Sequence, residues 1–377
     1  MRYRLLLLIT MCLFACEAYA VSSDTTFNTQ GVSDSVSAIQ PLVRKSWFTI
    51  PMGYYQQETS VALGIVGGYY FPSINLRKIS SVSGSVIYTF KNQFMVNLNP
   101  RFYVADGLVF LNGNANFRYY PSSYFGVSNG ETQLEEPYVS QTMQLSFQPG
   151  YFVNDNWQIG PSVLLRGERV LVGEDFEDIQ DAIFSTYGDA GWNPYWMSGV
   201  GFFSTYDTRD NVFYPQERSL FFKTSAVYYP ALLGSSYELT ALNVDFRYYQ
   251  PTWHGQMFAW QVYADGRLGK EVPFQLCPTV GGADNLRGFR ERKYIDKVFF
   301  QLQTEYRVPI WKRLKGAIFY SIGDVANYEK ITISRIKMSY GGGLRYRLND
   351  ARVHLRVDIA RTNYGDMEFY ITATEAF

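Results

Sequence analysis

The sequence predicts an all-β fold, a sixteen-stranded antiparallel transmembrane β-barrel. Three observations predict it: a secretory signal at the amino terminus, strand-like segments in which apolar and polar residues alternate, and long connections that fall at one end of the barrel. A soluble sandwich would show the same alternation. A polar, charged face turned to an interior and an apolar face turned outward are typical of a membrane barrel.

Residues 1–20 are predicted to be a secretory signal peptide. Arg2 and Arg4 precede an apolar run over residues 5–16, and small residues lead to a cleavage site after Ala20. Residues 13–16 loosely resemble a lipoprotein box, which leaves acylation of Cys16 as an alternative. No other run reaches the ~20 apolar residues that a membrane helix needs.

Removal of the signal leaves a chain close to neutral, since the whole sequence has 34 basic and 34 acidic residues. Nucleic acid is therefore not an expected partner. Two of the three cysteines leave with the signal, so Cys277 cannot form an internal disulfide. The aromatic content is 18% and includes tyrosine doublets, which are typical of the girdles at membrane interfaces.

Residues 21–45 are polar and predict a short periplasmic tail, and residues 46–377 predict the barrel. The predicted strands are residues 46–56, 58–71, 79–92, 93–104, 106–120, 137–153, 156–168, 196–208, 217–230, 237–251, 256–269, 297–309, 313–325, 331–347, 351–362 and 367–377. If the first strand starts in the periplasm, the odd-numbered connections lie outside. These include the three longest, residues 121–136, 169–195 and 270–296, as expected for an outer-membrane barrel.

The strand at residues 351–362 shows the two faces most clearly. Apolar and charged residues alternate along it, as in Leu355, Arg356, Val357 and Asp358. A lipid-facing arginine near mid-membrane would cost about 2 to 4 kcal/mol, so the charged face is expected to line the lumen.

Four short motifs are spread over most of the mature chain. They are Leu286, Arg287, Gly288 and Phe289 in the connection at 270–296; residues 206–211 (YDTRDN) with Pro215; residues 304–307 (TEYR); and the closing run of residues 369–377. Together they resemble the Omp85 superfamily of outer-membrane barrels, also called the bacterial surface antigen D15 family. In that family the first motif lies on loop six, so the resemblance implies that loop six of this chain folds into the barrel.

The resemblance also implies a place and a function. It implies a protein of the bacterial outer membrane that assists the insertion or translocation of proteins or lipids. Family members commonly carry a periplasmic POTRA domain, and the tail before Trp47 is too short for one, so the chain resembles a stand-alone barrel. The expected partners are outer-membrane lipid, substrate outer-membrane proteins and a separately encoded periplasmic protein. The alternative is a passive pore or structural envelope barrel without insertase activity.

Arg287 needs a carboxylate if loop six is buried, because an unpaired buried guanidinium is very costly. In the family, acidic residues of the following strands hold this arginine, and Glu305 matches one such position. At another, this sequence has Ser321 where the family commonly has Asp, and Asp358 is the expected replacement. We predict that Arg287 docks against Glu305 and Asp358. The alternative is that it caps a solvated loop.

The first strand must pair with the last to close the barrel. Pro51 offers no ladder donor and Gly53 weakens a strand, so a poorly bonded seam is expected, and family members are thought to open there laterally. The alternative is that Pro51 marks a late start of the first strand. Phe377 resembles the terminal aromatic residue of outer-membrane targeting signals, although Glu375 breaks the apolar alternation of this segment.

We expect no enzyme active site, cofactor or metal centre. Outer-membrane lipases use a Ser-His-Asn/Asp arrangement on the lipid side, and neither His254 nor His354 has that placement. The acidic residues at 174–181 are a candidate Ca²⁺ loop through clustered oxygens. A solvated helix is the alternative there, favoured by the spacing of Phe176, Ile179 and Ile183.

Overall fold

A computed structural model describes residues 46–71, 80–132, 134–171, 189–328, 335–348, 352–373 and 375–377. The predicted signal peptide, the polar tail and the acidic residues at 174–181 lie outside these ranges. Signal cleavage and Ca²⁺ binding therefore stay predictions.

Sixteen antiparallel strands close into a barrel, each paired with its sequence neighbours. They are β1 (Ser46–Gln56), β2 (Ser60–Phe71), β3 (Ser80–Thr89), β4 (Phe94–Val104), β5 (Val109–Tyr124), β6 (Glu136–Asn154), β7 (Trp157–Leu171), β8 (Tyr195–Asp207), β9 (Ser219–Tyr229), β10 (Leu239–Pro251), β11 (Met257–Gly269), β12 (Val298–Trp311), β13 (Leu314–Ala326), β14 (Lys337–Arg347), β15 (His354–Thr362) and β16 (Met367–Ala373). Short 3-10 turns lie at Ala105–Gly107, Ala231–Leu233 and Trp253–Gly255. None of the helices in the described ranges is long and apolar enough to cross a membrane. The predicted fold class and strand number are confirmed.

The barrel turns apolar side chains outward and charged side chains inward. Phe202 and Ile318 are 73% and 65% exposed, whereas Arg345 and Asp358 are 0% exposed. Because successive side chains of a strand point to opposite faces, this alternation of exposure identifies a lipid-facing surface and a polar lumen.

Aromatic packing fixes the connections at the extracellular end, where the long loops lie. The ring of Phe274, in loop six, lies 4.8 Å from the ring of Tyr124 and 4.8 Å from that of Trp192, between centroids. Offset and tilted ring pairs at this distance add to the stability gained from burial alone. Loop six, residues 270–297, is thus anchored against the loops that follow β5 and β7.

The turn after β8, residues 208–218, covers part of the periplasmic mouth. Asn211 Oδ1 accepts bonds from the main-chain nitrogens of Phe213 and Tyr214, each at 2.9 Å, which orders the turn. The Tyr214 ring then lies 4.4 Å from that of His354, at the start of β15. Because β8 and β15 are not neighbours in the barrel, the turn must reach across the opening.

At the barrel ends one expectation is confirmed and one is wrong. The first strand is β1 at residues 46–56 as predicted, and the alternative of a late start at Pro51 is wrong, because Pro51 and Gly53 lie inside β1, opposite Ile65 and Leu63 of β2. The predicted last strand does not run to residue 377, because β16 ends at Ala373 and residues 376 and 377 pack inside the barrel.

Candidate functional site

Arg287 lies in the lumen between the two carboxylates named from the sequence. Its Nη1 donates to Asp358 Oδ2 at 2.7 Å, and its Nη2 donates to Glu305 Oε2 at 3.0 Å. All three side chains are fully buried. The alternative of a solvated cap is wrong for Arg287, since its guanidinium is sealed from solvent and held by charge-assisted hydrogen bonds.

Two further arginines complete this buried group. Arg345 donates Nη2 to Glu305 Oε2 at 3.2 Å and Nη1 to Asp358 Oδ1. Arg307 donates Nε to Glu305 Oε1 at 2.8 Å. We call Arg287, Glu305, Arg307, Arg345 and Asp358 the loop-six cluster. Each carboxylate in it accepts from more than one guanidinium, which offsets the cost of removing the charges from water.

Small and aromatic residues make room for the loop-six cluster. The guanidinium carbon of Arg287 lies 3.4 Å from the centre of the Phe319 ring, a cation–π contact. A Cβ at Gly343 would lie 2.0 Å from Asp358 Oδ1, and one at Gly341 would lie 2.5 Å from Phe319 Cζ. These two glycines therefore give the carboxylate and the ring the space that any larger residue would fill.

The neighbours of Arg287 on loop six hold it in register. Gly288 adopts φ of 106° and donates its main-chain N–H to Tyr370 Oη at 2.9 Å, a conformation that favours glycine. Leu286 donates its main-chain N–H to Gln301 Oε1 at 3.1 Å. Leu286 and Phe289 are fully buried in an apolar cluster with Phe299 of β12. The motif thus inserts one charged side chain and anchors it with two apolar ones.

Ser321 does not take part in docking Arg287. Its buried hydroxyl donates to Gln303 Oε1 at 3.1 Å, and Gln303 Nε2 donates to the carbonyl of Asp284 on loop six at 2.8 Å. The connection from Ser321 to the loop is therefore indirect. The short serine side chain leaves the second carboxylate to Asp358, as the sequence argument proposed.

The seam between β1 and β16 is weakly paired in the described residues. It is registered at one position, Tyr55 with Ile371, whereas β15 and β16 are registered from Leu355–Ala373 to Arg361–Met367. The rings of Tyr55 and Phe369 lie 6.3 Å apart beside the seam. Pro51 and Gly53 lie on β1 beyond this pair, where no partner in β16 is registered.

Phe377 was expected at the seam, and this expectation is wrong. Its ring is 3% exposed and packs inside the barrel with Tyr249, Met257 and Ala259. Arg307 Nη2 donates to the Phe377 main-chain oxygen at 3.0 Å, and Arg345 Nε donates to Glu375 Oε2 at 3.1 Å. We call residues 375–377 the inward tail.

The strand register explains why the tail turns inward. Residues 373, 375 and 377 share the parity of Ile371, so a continued β16 would place Glu375 on the lipid-facing side. In the lumen the same carboxylate instead meets two buried arginines. The cost of a charged residue facing lipid therefore ends the strand at Ala373.

Loop six carries a second charged group near its extracellular side. The main-chain N–H of Glu291 donates to Glu58 Oε1 at 2.8 Å. Burial, together with the nearby Glu58 carboxylate, raises the pKa of Glu291, and Arg292 and Arg118 oppose this shift. Loop six thus holds a carboxyl group that ionises less readily in the folded state than in water.

The described part of the chain contains no group of three or more His, Cys, Asp or Glu residues placed to hold a metal ion. His354 is buried and packs against the ring of Tyr214, and His254 lies in the periplasmic turn at Trp253–Gly255. Burial raises the pKa of the Cys277 thiol to about 12, so this cysteine is a packed loop residue rather than a reactive one.

A match to a known protein family identifies the family of this barrel. Residues 89–377 match the model of the Omp85 superfamily domain. The chain belongs to the Omp85 superfamily. It is accordingly an integral protein of the bacterial outer membrane, which confirms the family and location inferred from the four motifs.

Solved structures agree with this Omp85 assignment at the level of the fold. BamA from Haemophilus ducreyi lacking POTRA domains 1–3 has a TM-score of 0.62 at 15% identity, over 88% of this chain and 70% of that one. CdiB from Acinetobacter baumannii has a TM-score of 0.56 at 12% identity over 87% of this chain. CdiB from Escherichia coli has a TM-score of 0.55 at 9% identity over 86% of this chain. This chain spans 59% and 62% of the two CdiB chains. No curated protein sequence matches it significantly.

Sequence reasoning missed two parts of the Omp85 site. Arg345 lies two residues after the glycines at 341–343, and its inward parity alone did not point to a role. Phe319 shares the parity of Ser321, but neither its face nor a contact with Arg287 was predicted from the sequence. For both residues the alternation along the strand indicates the side that faces the lumen. Their contacts with the loop-six cluster depend on how β12 to β15 lie side by side, which the sequence does not show.

Proposed function

We propose that this Omp85 barrel assists the insertion or translocation of proteins or lipids at the outer membrane, with the β1–β16 seam as its gate. The seam carries the proposal, because Tyr55 with Ile371 is its one registered pair in the described residues. A strand edge with unpaired N–H and C=O groups is a template for another strand. The proposal also rests on the family, whose members act on the outer membrane.

The inward tail keeps this gate from closing. Residues 375–377 would extend the seam if β16 continued, but Glu375 and Phe377 are held in the lumen by Arg345 and Arg307. Pro51 removes one donor from the β1 edge, so pairing there stays weak and reversible. These features favour a seam that opens to an incoming strand or lipid.

The proposed partners follow from the two surfaces of the gate. The apolar outer face meets outer-membrane lipid, and the free edge of β1 suits substrate outer-membrane proteins. We also propose a separately encoded periplasmic partner. The periplasmic turn at 208–218 supports it, since Val212 and Phe213 are 59% and 39% exposed on this ordered turn.

The test is the folding rate of an unrelated outer-membrane barrel into liposomes that contain the purified protein. The variant Tyr55→Cys/Ile371→Cys, in a Cys277→Ser background, locks the seam with a disulfide when oxidised. We expect the protein to accelerate folding, the oxidised variant to lose the acceleration, and reduction to restore it.

The matched control is Ile50→Cys/Val66→Cys, which cross-links β1 to β2 away from the seam. It should accelerate folding whether oxidised or reduced. Equal acceleration by the oxidised seam variant would overturn the gate. No acceleration by any form would favour the alternative, a passive or structural barrel.

A further inference from the structure

The lumen has a second wall whose chemistry differs from that of the loop-six cluster. In the middle of β3 to β6 most inward side chains are neutral hydroxyls and amides, and Arg101 lies beside them on β4. The neutral ones include Ser85, Asn97, Asn99, Asn114, Asn116 and Gln144. They are half-buried, whereas the charged residues of the loop-six cluster are fully buried. We call this surface the amide wall.

The amides of this wall are ordered but retain free hydrogen-bonding capacity. Asn114 Nδ2 donates to Asn99 Oδ1 at 2.7 Å, and Asn116 Nδ2 donates to Asn97 Oδ1. Each such bond uses one donor and one acceptor site, while an amide offers two donors and an oxygen with two lone pairs. Because the side chains are half-buried, the remaining groups face the lumen.

Aromatic rings lie at the periplasmic end of the same wall. Tyr103 of β4 and Phe110 of β5 point inward and stack with centroids 4.6 Å apart, and Phe152 of β6 lies 6.2 Å from Tyr103. The three rings are half-buried. The stack places apolar ring surface beside hydrogen-bonding groups, an arrangement common in sites for small polar ligands.

A cavity of about 330 Å³ lies at the extracellular end of the wall. Tyr120, on the inward face of β5, lines it together with Asn92, Lys91 and Glu58. Glu58 Oε2 is buried there without a hydrogen-bond partner. The cavity therefore offers an acceptor that a hydroxyl group would satisfy.

We propose that the amide wall binds a saccharide chain. Sugar rings have apolar faces that pack on aromatic rings and hydroxyls that both donate and accept, which matches the rings at Tyr103 and Phe110 and the amides above them. The inward charged side chains of β4 and β5 are Arg101, opposite Asn112, and Arg118, and both are basic. Basic side chains of a polypeptide would meet no carboxylate on these two strands, whereas a neutral saccharide needs no counter-charge, so the lining favours the saccharide.

The test is binding of maltohexaose to the full protein in lipid nanodiscs, measured by saturation-transfer NMR and titration. We expect wild type to bind. Tyr103→Ala/Phe110→Ala should weaken binding about tenfold through loss of ring contacts. Asn114→Ala/Asn116→Ala should weaken it about fivefold through loss of hydrogen bonds.

The matched control is Phe117→Ala/Phe147→Ala, whose rings face lipid on β5 and β6 and are 41% and 47% exposed. It should bind as wild type does, and heat-dependent gel mobility will check that every variant is folded. No binding by wild type, or equal binding by all variants, overturns the proposal. So does equal binding of an unstructured Gly-Ser peptide that depends on the same residues.

Discussion

Arg287 is held by groups from three strands, Glu305 of β12, Phe319 of β13 and Asp358 of β15. A buried ion pair adds little net stability compared with well-packed apolar residues, yet removing one partner is very costly. The loop-six cluster therefore acts mainly by fixing the position of loop six, which fits where the Arg287 guanidinium meets both carboxylates.

The first prediction concerns Arg287→Ala. It should lower the free energy of unfolding by about 3 to 5 kcal/mol, because two buried carboxylates lose a partner. Urea unfolding of the reconstituted protein measures this. The matched control is Arg290→Ala, whose pair with Glu135 is 33% and 49% exposed, and its effect should be about 1 kcal/mol or less. Unchanged urea and heat resistance of Arg287→Ala would contradict a buried cluster.

The second prediction concerns Glu291, whose pKa is raised by burial and by Glu58. The folded state holds this proton more tightly than the unfolded state, where the pKa is about 4.3. Wild type thus has this stabilisation below pH ~4 and loses it as the pH rises. Glu291→Gln should match wild type in urea midpoint at low pH and exceed it increasingly towards pH 8.

Glu135 provides the control of opposite sign for this pH series. A hydrogen bond from Arg290 lowers the pKa of Glu135 although partial burial opposes it. Wild type therefore gains stability from Glu135 as the pH rises, and Glu135→Gln should fall below wild type at pH 8. If the difference in urea midpoint between Glu291→Gln and wild type does not change with pH, the wild-type Glu291 carboxyl ionises in the folded state without a cost in stability.

The sequence predicted part of this site because strand alternation and membrane cost act residue by residue. Glu305 and Asp358 were placed in the lumen by parity, and the likeness of the loop-six motif to its family supplied Arg287 as their partner. The position of Phe377 was not predictable in this way. It depends on whether Glu375 faces lipid or pairs with Arg345 in the lumen. Which of the two occurs is determined by the three-dimensional arrangement of β12 and β14.

At the scale of elements, the sixteen strands were predicted, and their ends were less accurate. β5 was predicted at 106–120 and lies at Val109–Tyr124, and β14 was predicted at 331–347 and lies at Lys337–Arg347. Alternation defines the membrane-spanning part of a strand. Its continuation above the membrane depends on the loops that pack against it, as at Tyr124 in the cluster with Phe274.

The third prediction concerns the end of β16. Glu375→Gln removes the charge that pairs with Arg345, so the tail should leave the lumen and β16 should extend along β1. Continuing the register from Tyr55–Ile371 brings residue 53 opposite residue 373. A Gly53→Cys/Ala373→Cys pair, in a Cys277→Ser background, should therefore form its disulfide severalfold faster with Glu375→Gln than without it.

Asp366→Asn, in the turn before β16, is the matched charge control for this cross-linking. It removes a carboxylate at the other end of the same strand and should leave the disulfide rate unchanged. If Glu375→Gln also leaves the rate unchanged, the lumen arginines do not determine where the tail lies.

At the scale of the whole molecule, the lumen is occupied from both ends. Loop six enters from the extracellular side and bonds to β12, β15 and β16 through Gln303, Arg356 and Tyr370. The turn at 208–218 and the inward tail cover the periplasmic side, where Tyr214 and Phe377 both approach Arg307. The amide wall lies half-buried between them.

The last prediction follows from this occupation. Wild type in planar bilayers should conduct poorly and irregularly, since the lining of a pore and its free diameter set conduction. Replacing residues 283–290 by a Gly-Ser segment of equal length removes the Arg287 anchor and should give larger, stable steps. The same replacement at residues 231–236, where Leu232 is 94% exposed, should leave the irregular record unchanged. Stable open levels in wild type would instead mean that loop six does not block the lumen, and the passive pore would then be the better account of this barrel.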